Sequence, residues 1–410
     1  MVDWVILAAR SAGTDPVVVV GSPGTADRFE GVQVAIQERP LGTGDAVSAA
    51  SAALAGFDGD VLVLSGDVPG LTSELLRSLV DAHRSSAAAA TVLSFEAPAG
   101  RSYGRIVRDG GGGLARIVEA ADATPGELAL TEVNSGIYLF RSVTLWPAIE
   151  RLEAKNAQGE LYLTDTIGIL VADGLSVAVH VAPDPFEVEG INTREELAIV
   201  AAGLRDRINR AHMRAGVTIV DPASTWIEPD VTIAADVTIH PFVTLSGRTS
   251  VETLAEIHSH TVAVDAAIGT GATVGPFCYL RPGTVLEADS KAGTFVEMKN
   301  SRIGPRSKVP HLSYVGDAEI GEDTNIAAGN VTANFKHEPG LPKGKTRIGG
   351  NVRTGIHNVF DAPVEIGDDA WIAPGAVITD DVPPGSLAGF APRQTTKDGW
   401  VYDKHGKPDR

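Results

Sequence analysis

Between residues 226 and 378 an aliphatic side chain returns every six positions. Ile227, Ile233, Ile239, Leu245, Val251 and Ile257 keep that step without a slip, and after one short step it resumes at Ile268, Val274, Leu280 and Leu286. It reads again at Ile303, Val309 and Val315, then at Ile348, Thr354, Phe360, Ile366, Ile372 and Ile378. A helix repeats near three or four and an ordinary strand at two. A six-residue step with a small residue just after the aliphatic one (Ile268-Gly269, Val274-Gly275, Ile303-Gly304, Ile320-Gly321, Ile366-Gly367) predicts a hexapeptide parallel β-helix. Each short strand then sends one side chain into a continuous inner stack, and glycine or aspartate corners turn the chain. A β-sandwich needs a period of two and fits poorly.

The chain has 410 residues, long for one core, which predicts two domains. A formal net charge of -18 opposes nucleic-acid and anionic-membrane binding, both of which need a basic footprint. Any phosphate ligand must be held by local cations and backbone N–H groups against that field. Cys278 stands alone, so neither an intrachain disulfide nor a CxxC metal site can form. No apolar run approaches the ~18 residues that span a bilayer, and no signal-peptide pattern opens the chain. These features point to a cytoplasmic protein without membrane insertion.

The opening stretch allows two readings. Residues 5–9 could be a strand entering a glycine loop at Gly13, but Val2, Val5, Ile6 and Ala9 fall on one helix face, and Gly13 suits a helix end. Too few residues separate Gly13 from the next strand for a phosphate loop to lead into its own helix. The helix is the better reading. Strand-like and helical runs then alternate at 17–20, 32–36, 46–54, 61–64, 73–83 and 90–95, the rhythm of an open, mostly parallel sheet. Ligands of such sheets lie at the carboxyl ends of strands. Two features fall there: Leu41-Gly42-Thr43-Gly44-Asp45 before a helix, and Ser65-Gly66-Asp67-Val68-Pro69 after a strand. Asp67 could be a Mg²⁺ ligand, although an Asp in such a turn commonly only stabilises the turn. A helix over 194–215 would connect to the β-helix.

The order of motifs resembles one family across nearly the whole chain, the bifunctional N-acetylglucosamine-1-phosphate uridyltransferase / glucosamine-1-phosphate acetyltransferases. The residues are Gln37 with Leu41-Gly42-Thr43-Gly44, Gly66-Asp67-Val68-Pro69, Tyr103-Gly104-Arg105, Ile117-Val118-Glu119, Glu132-Val133-Asn134, Asn156-Ala157-Gln158-Gly159-Glu160 and Glu189-Gly190-Ile191-Asn192. The β-helix adds Leu280-Arg281-Pro282-Gly283, Phe295-Val296-Glu297-Met298-Lys299, His311-Leu312-Ser313-Tyr314, the run Gly316 to Gly321, and Asn325. The string over 295–321 is the most specific. The resemblance implies an α/β, open Rossmann-like nucleotidyltransferase domain (1–193), a connecting helix (194–215), an all-β left-handed parallel β-helix acyltransferase domain (216–382) and a C-terminal tail (383–410).

It further implies that the first domain joins N-acetylglucosamine 1-phosphate to UTP, with Mg²⁺ held by Asp67 and Asn192. Gln37, Gly42 and Thr43 would meet the uracil, Ser65 would lie with the nucleotide, and Gly104, Glu119 and Asn134 would hold the sugar. The second would acetylate glucosamine 1-phosphate from acetyl-CoA. His311 would be the general base, Arg281 and Lys299 the phosphate grip, and Tyr314, Asn325 and Asn334 sugar contacts. Ala328, Ile356 and Pro374 would approach acetyl-CoA. A homotrimer is implied, because the family's site lies between subunits.

The chain also departs from that pattern. The family's glycine loop (Leu-Ala-Ala-Gly-x-Gly-Thr-Arg-Met, then Pro-Lys) is absent, and residues 1–13 match the helix that follows it. The expectation is that the first strand and the triphosphate loop precede this start, and that the chain as given has little uridyltransferase activity and unpaired backbone inside the sheet. In the second domain Asn334-Phe335-Lys336-His337 stands where the family has Asn-Tyr-Asp-Gly, Ile356 for a Ser, Pro374 for an Ala and Ala391 for an Arg. Lys343, Lys345, Arg347 and Arg353 could meet coenzyme phosphates in place of that Arg, or form a solvated loop, the commoner outcome. Three functions stay open on sequence: the two-activity enzyme, an acetyltransferase with a vestigial first domain, and a non-catalytic trimeric sugar-phosphate-binding scaffold.

Overall fold

A six-residue step places one side chain per strand at an inward position, and in the computed structural model those positions are buried. Ile239, Leu245, Ile257, Val274, Leu280, Ile303 and Val309 have no exposed surface and belong to one continuous core with Phe360, Ile366 and Ile372. The structure describes residues 1–25, 28–29, 31–98, 102–335, 342–389 and 396–405. It forms two compact units, Met1–Gly203 and Leu204–Arg410.

The second unit is a left-handed parallel β-helix. Among the described residues its strands form a nine-stranded face from Trp226–Ile227 to Val377–Ile378 and an eight-stranded face from Thr232–Ile233 to Val364–Ile366. The third face runs from Thr218–Ile219 to Lys308–His311 and resumes at Arg353–Thr354. Each strand pairs in parallel with the strand one coil on, as in Thr238↔Glu256, Ala263↔Leu280 and Lys291↔Lys308. The interruptions in the sequence step are filled by Ala263, Ala292 and Met298, all buried and too small or too unlike their neighbours to stand out in a pattern. Where the step shortens to five, Asp265, Asn300 and Asp317 turn the corner in the left-handed backbone region. Asn and Asp tolerate that region best among residues with a side chain.

At another corner the same conformation is taken by Phe242, His260, Phe277, Phe295 and Leu312. Left-handed backbone at such residues costs about 1–2 kcal/mol each. Ring stacking between successive coils offsets it: Phe242–His260 at 4.9 Å, His260–Phe277 at 4.6 Å and Phe277–Phe295 at 5.4 Å. Coil pairing continues past Pro383, since Leu387–Ala388 pairs with Trp371–Ile372.

In the first unit the opening residues form a helix, α1 (Val2–Ser11), as the i, i+3, i+4 spacing predicts, with Val5, Ala8 and Ala9 buried. Strand β1 (Val18–Gly21) pairs in parallel with β2 (Gln33–Ile36), which leads to α2 (Thr43–Ala49). The main sheet holds β3 (Asp60–Val63), β4 (Ala90–Glu96), β5 (Arg105–Arg108), β6 (Leu114–Val118), β7 (Glu132–Arg141) and β8 (Val177–Val181). The mostly parallel sheet expected from the βα rhythm is not what forms. The ten-residue β7 runs antiparallel to β3, β4 and β5, and β5–β6 is a hairpin, so only β4–β8 is parallel in this sheet. Long strands paired across large sequence gaps leave no periodic trace. Helix α3 (Ser73–Ser86) covers one side, burying Leu75, Leu76 and Leu79; the short α4 (Pro125–Leu128) lies between β6 and β7 in the chain, and α5 (Ser142–Ile149) with α6 (Asp165–Ala172) covers the other side.

Among the described strands β3 pairs only with β7 and β1 only with β2. Between them lies a cavity of about 860 Å³, lined by Val18, Val20, Leu62 and Leu64 and closed by Val2 and Ile6 of α1. The long helix α7 (Arg194–Arg214) is continuous.

Candidate functional site

In the β-helix, backbone hydrogen bonds between coils decide which side chains share a column. His311 ends the strand Lys308–His311, and Asn325 is bridged to Lys308 one coil earlier and to Arg353 one coil later. The N–H of Gly329 donates to the His311 carbonyl, that of His357 to Ala328, and that of Gly375 to Ile356. His311, Ala328, Ile356 and Pro374 therefore occupy one column beside the corner, on successive coils. His311 and Ile356 are exposed, and Ala328 is half-buried. Among the described residues the His311 imidazole makes no hydrogen bond or ion pair.

Around that corner, on the nine-stranded face, Arg281 and Lys299 take equivalent outward positions. The register Leu280↔Met298 and the bond from Arg281 N–H to the Met298 carbonyl (2.8 Å) set them side by side. Glu297, two residues before Lys299, accepts from Arg281 Nη1 at 2.8 Å and keeps that guanidinium aimed. Tyr314 shares the Glu297 column. Its ring lies over Gly316, where a Cβ would come within 2.7 Å of Tyr314 Cζ and 2.8 Å of Asn334 Nδ2, so a side chain there would displace both. Asn334 is buried and donates to Asp317, which also accepts from Asn300 Nδ2 at 2.6 Å.

Lys343 is the residue that sequence reading misplaced. Its ammonium sits against Lys299 and, with Arg281, holds the Lys299 amine below its usual range, while Asp317 pulls the other way. Three cations crowd where, among the described residues, one carboxylate, Glu297, is paired with them directly, an arrangement that an anion would relieve. The four basic residues of this loop do not act together. Lys345 and Arg347 both contact Glu319, and Arg353 donates to the carbonyls of Asp323 and Val352. The six-residue step is broken before Lys343, so no spacing could have paired it with Lys299. Lys336, His337 and Ala391 lie outside the described residues. Cys278 is buried, with its thiol pushed up to about 12 by burial, and belongs to the core.

In the first unit, the loop before α2 is locked to the chain before α6. Gly42 has φ 119°, and a Cβ there would come within 2.5 Å of the Leu161 carbonyl. The Gly44 N–H donates to that carbonyl (2.8 Å), and the Thr43 hydroxyl accepts from Leu163 N–H (3.0 Å). Gln37 Nε2 bridges Gly42 O (3.1 Å) and Asp45 Oδ2 (2.7 Å). Adjacent strand ends bring Gly104, Glu119 and Asn134 together: Asn134 N–H donates to Gly104 O (2.8 Å), and a Cβ on Gly104 would lie 3.3 Å from Glu119 Oε2. Glu119 accepts from the Thr164 hydroxyl at 3.1 Å. Burial pushes its carboxyl above the usual range, against that hydrogen bond and with help from Asp165 and Asp122. Asn134 is engaged by Tyr138, to whose hydroxyl its Nδ2 donates at 2.6 Å.

Thr43, Ser65, Glu119 and Asn134 line the 860 Å³ cavity; Gln37, Gly42, Gly104, Asp67 and Asn192 do not. Asp67 follows β3, and its carbonyl accepts from Ile191 N–H at 3.1 Å. A Cβ on Gly190 would lie 3.7 Å from Asp67 Oδ2, so the chain entering Asn192 passes beside this carboxylate. Burial raises the Asp67 carboxyl, partly offset by a backbone hydrogen bond. A half-buried carboxylate with no cation paired to it among the described residues, beside the stretch that carries Asn192, suits a hard divalent ion.

Among the described residues no helix is long and apolar enough to cross a membrane. Residues 1–165 match the family of MobA-like NTP transferase domains. The sequence is 48% identical to the bifunctional protein GlmU of Corynebacterium efficiens over 389 residues, 91% of this chain and 79% of that protein. It is 49% identical to the protein of that name from Rhodococcus opacus over 398 residues, and 46% identical to that from Mycobacterium tuberculosis over 395; each match covers 92% of this chain and 79% of the relative.

Proposed function

The chain belongs to the family of bifunctional GlmU proteins, and from that membership we propose which of its groups serve each of two reactions. It is a bifunctional transferase of UDP-N-acetylglucosamine synthesis, an acetyltransferase acting on glucosamine 1-phosphate and a uridyltransferase acting on N-acetylglucosamine 1-phosphate. Its substrates are sugar phosphates and a nucleotide, with acetyl-CoA as acetyl donor. The observation that carries the residue assignment is the crowding of Arg281, Lys299 and Lys343 around the corner from the unpaired His311 imidazole.

In the acetyl transfer, Arg281, Lys299 and Lys343 would hold the sugar phosphate, with Arg281 able to grip two oxygens at once. Tyr314 and Asn325 would meet the sugar, and Asn334 would act mainly by holding Asp317. His311 would take the proton from the amine as its nitrogen bonds to the thioester carbonyl carbon, and would return a proton to the departing thiolate. Imidazole titrates near neutrality, as a group with both duties must. Ala328, Ile356 and Pro374 would guide the thioester, a reading supported by their shared column with His311. The exposed corner ridge of Phe242, Phe277, Phe295 and Leu312 is apolar surface of the kind that subunits bury, and supports a homotrimer.

In the uridylyl transfer, Gln37, Gly42 and Thr43 would meet the base, Ser65 would lie with the nucleotide, and Gly104, Glu119 and Asn134 would meet the sugar. Asp67 and Asn192 would hold Mg²⁺, which when bound neutralises phosphate charge. A cytoplasmic location fits a chain with one buried cysteine.

The test uses purified protein with acetyl-CoA and either glucosamine 1-phosphate or glucosamine, with free thiol as readout. Expected is release with the phosphorylated sugar, and a KM raised at least tenfold in Arg281→Ala and Lys299→Ala. Equal rates with both sugars would overturn the phosphate grip.

A further inference from the structure

Three coils before the His311 column, the same face carries a second group of side chains, His240, Glu256 and His258, with no part in either reaction above. Strand alternation explains how they meet. Ile257 points inward, so its neighbours Glu256 and His258 both point out. The register Thr238↔Glu256 and Ile239↔Ile257, with His240 N–H donating to the Ile257 carbonyl (2.9 Å), puts His240 level with His258 one coil earlier. The two imidazoles lie 4.9 Å apart and nearly parallel, at 19°. Glu256 reaches both: Nε2 of His240 is 2.9 Å from Oε1, and Nε2 of His258 is 3.9 Å from Oε2. One ligand atom from each residue lies within 4.8 Å of the other two.

We propose that His240, Glu256 and His258 bind one zinc ion, clipping two consecutive coils of the β-helix together. Two imidazoles and a carboxylate are a known donor set for zinc, at about 2.0–2.2 Å per bond. A tetrahedral ion with such bonds separates its ligand atoms by about 3.4 Å. The distances of 2.9 and 3.9 Å fall on either side of that value, and rotation of the two stacked imidazoles about their side-chain bonds would turn a lone pair of each toward one ion. The ion would take the place of the proton between His240 and Glu256.

The surroundings leave the set free for a metal. Thr238 and Thr273 flank Glu256 in its column, and its ion pairs among the described residues are with the two histidines. On the next coil the position of His258 is taken by Gly275, which has no side chain to reach the triad, and the partly exposed triad faces solvent that would supply a water as fourth ligand. The column from His258 passes through Gly275 and Gly293 to Pro310, three coils at ~4.8 Å each. An ion here would lie ~14 Å along the axis from His311's level, too far to touch substrate. Its role would be structural.

The experiment uses full-length protein stripped with a chelator and dialysed, then titrated with Zn²⁺ against a chromophoric competitor. The expected result is one zinc per chain, with affinity reduced at least tenfold in His240→Ala and in His258→Ala and also weakened in Glu256→Gln. Co²⁺ should give the visible absorption of a tetrahedral N/O site in the wild type and not in the variants. Zinc should raise the melting temperature of the wild type by several degrees and leave both histidine variants unmoved, while acetyl transfer stays the same in all. These residues are partly exposed, so the variants should fold, which circular dichroism checks. No stoichiometric zinc in the wild type, or undiminished zinc in the variants, would show a hydrogen-bonded ion pair and no metal site.

Discussion

The two units solve the burial problem in opposite ways. In the β-helix every coil repeats one solution: an aliphatic residue inward, polar residues outward, and backbone bonds only to the coils above and below. In the first unit nothing repeats. Strand β7 meets β3, β4 and β5, and polar groups inside the core are satisfied one at a time. Arg105 is fully buried and donates to the carbonyls of Tyr103 and Leu128, and His83 is buried against Thr91. The lesson concerns where chemistry can reside. A repeating coil frees its outer surface, so functional groups line up in columns. A non-repeating sheet gathers them at strand ends, around a cavity.

The largest expected effects test how far a local change spreads. Leu280→Ala in the β-helix and Leu93→Ala in the first unit each remove a fully buried side chain and should cost about 2–5 kcal/mol by denaturant titration. Pairing them with distant or adjacent partners separates the units. Ile239→Ala with Ile372→Ala lie many coils apart and should add within about 0.5 kcal/mol. Leu93→Ala with Ile137→Ala, opposite one another across β4–β7, should deviate from additivity by about 0.5–3 kcal/mol. Strong coupling between the distant coils would end the description of the β-helix as a chain of neighbours.

Next come the buried cations. Arg105→Met should cost about 1–3 kcal/mol, because the carbonyls of Tyr103 and Leu128 lose a donor from the buried guanidinium. Arg306→Ala removes an exposed guanidinium that contacts Glu322 and Asp323, and its melting temperature should barely move. If the two variants melt alike, the contrast between buried and columnar polar groups is wrong.

A smaller effect should appear on acidification. Burial holds the His83 imidazole below its usual range, with Arg141 and Arg84 adding to the shift and Asp60 opposing it. Below about pH 6.5 the unfolded chain binds a proton that the folded unit resists. The resulting stability is present above about pH 6.5 and is lost as pH falls toward the depressed folded value. Protection factors of the amides of α3 and β4, taken relative to the intrinsic exchange rate at each pH, should therefore fall between pH 7 and pH 5.5, and do so less in His83→Gln. The smallest effect is Asp67→Asn, which removes a carboxylate that burial disfavours. Metal-free protein should be no less stable, and slightly more so near pH 7, by calorimetry.

The β-helix was legible because its inward position recurs every six residues, and the hidden turns failed only where Ala263, Ala292 and Met298 broke the aliphatic pattern. Helix α1 was legible from Val5 and Ala9 on one face. The direction of the first sheet was not, since alternating strands and helices carry no record that Val61 will lie opposite Phe140. The columns on the β-helix surface were half-visible. Arg281 and Lys299 are one coil apart, as their spacing suggests, whereas Lys343 reaches Lys299 only because a long segment leaves the step and returns. Asp67 and Ile191, the residue before Asn192, meet through one backbone bond between distant stretches, which no local pattern announces.

Two reactions assigned to two sets of residues can be separated most directly by assaying both in the same two variants. His311→Ala should lose acetyl transfer by about 10²–10⁴ and leave whatever UTP-dependent pyrophosphate release the wild type shows unchanged. Asp67→Asn should depress only the pyrophosphate release and keep full acetyl transfer. Joint loss of both activities in either variant, or full acetyl transfer by His311→Ala, would contradict the division of labour between a columnar site and a strand-end site.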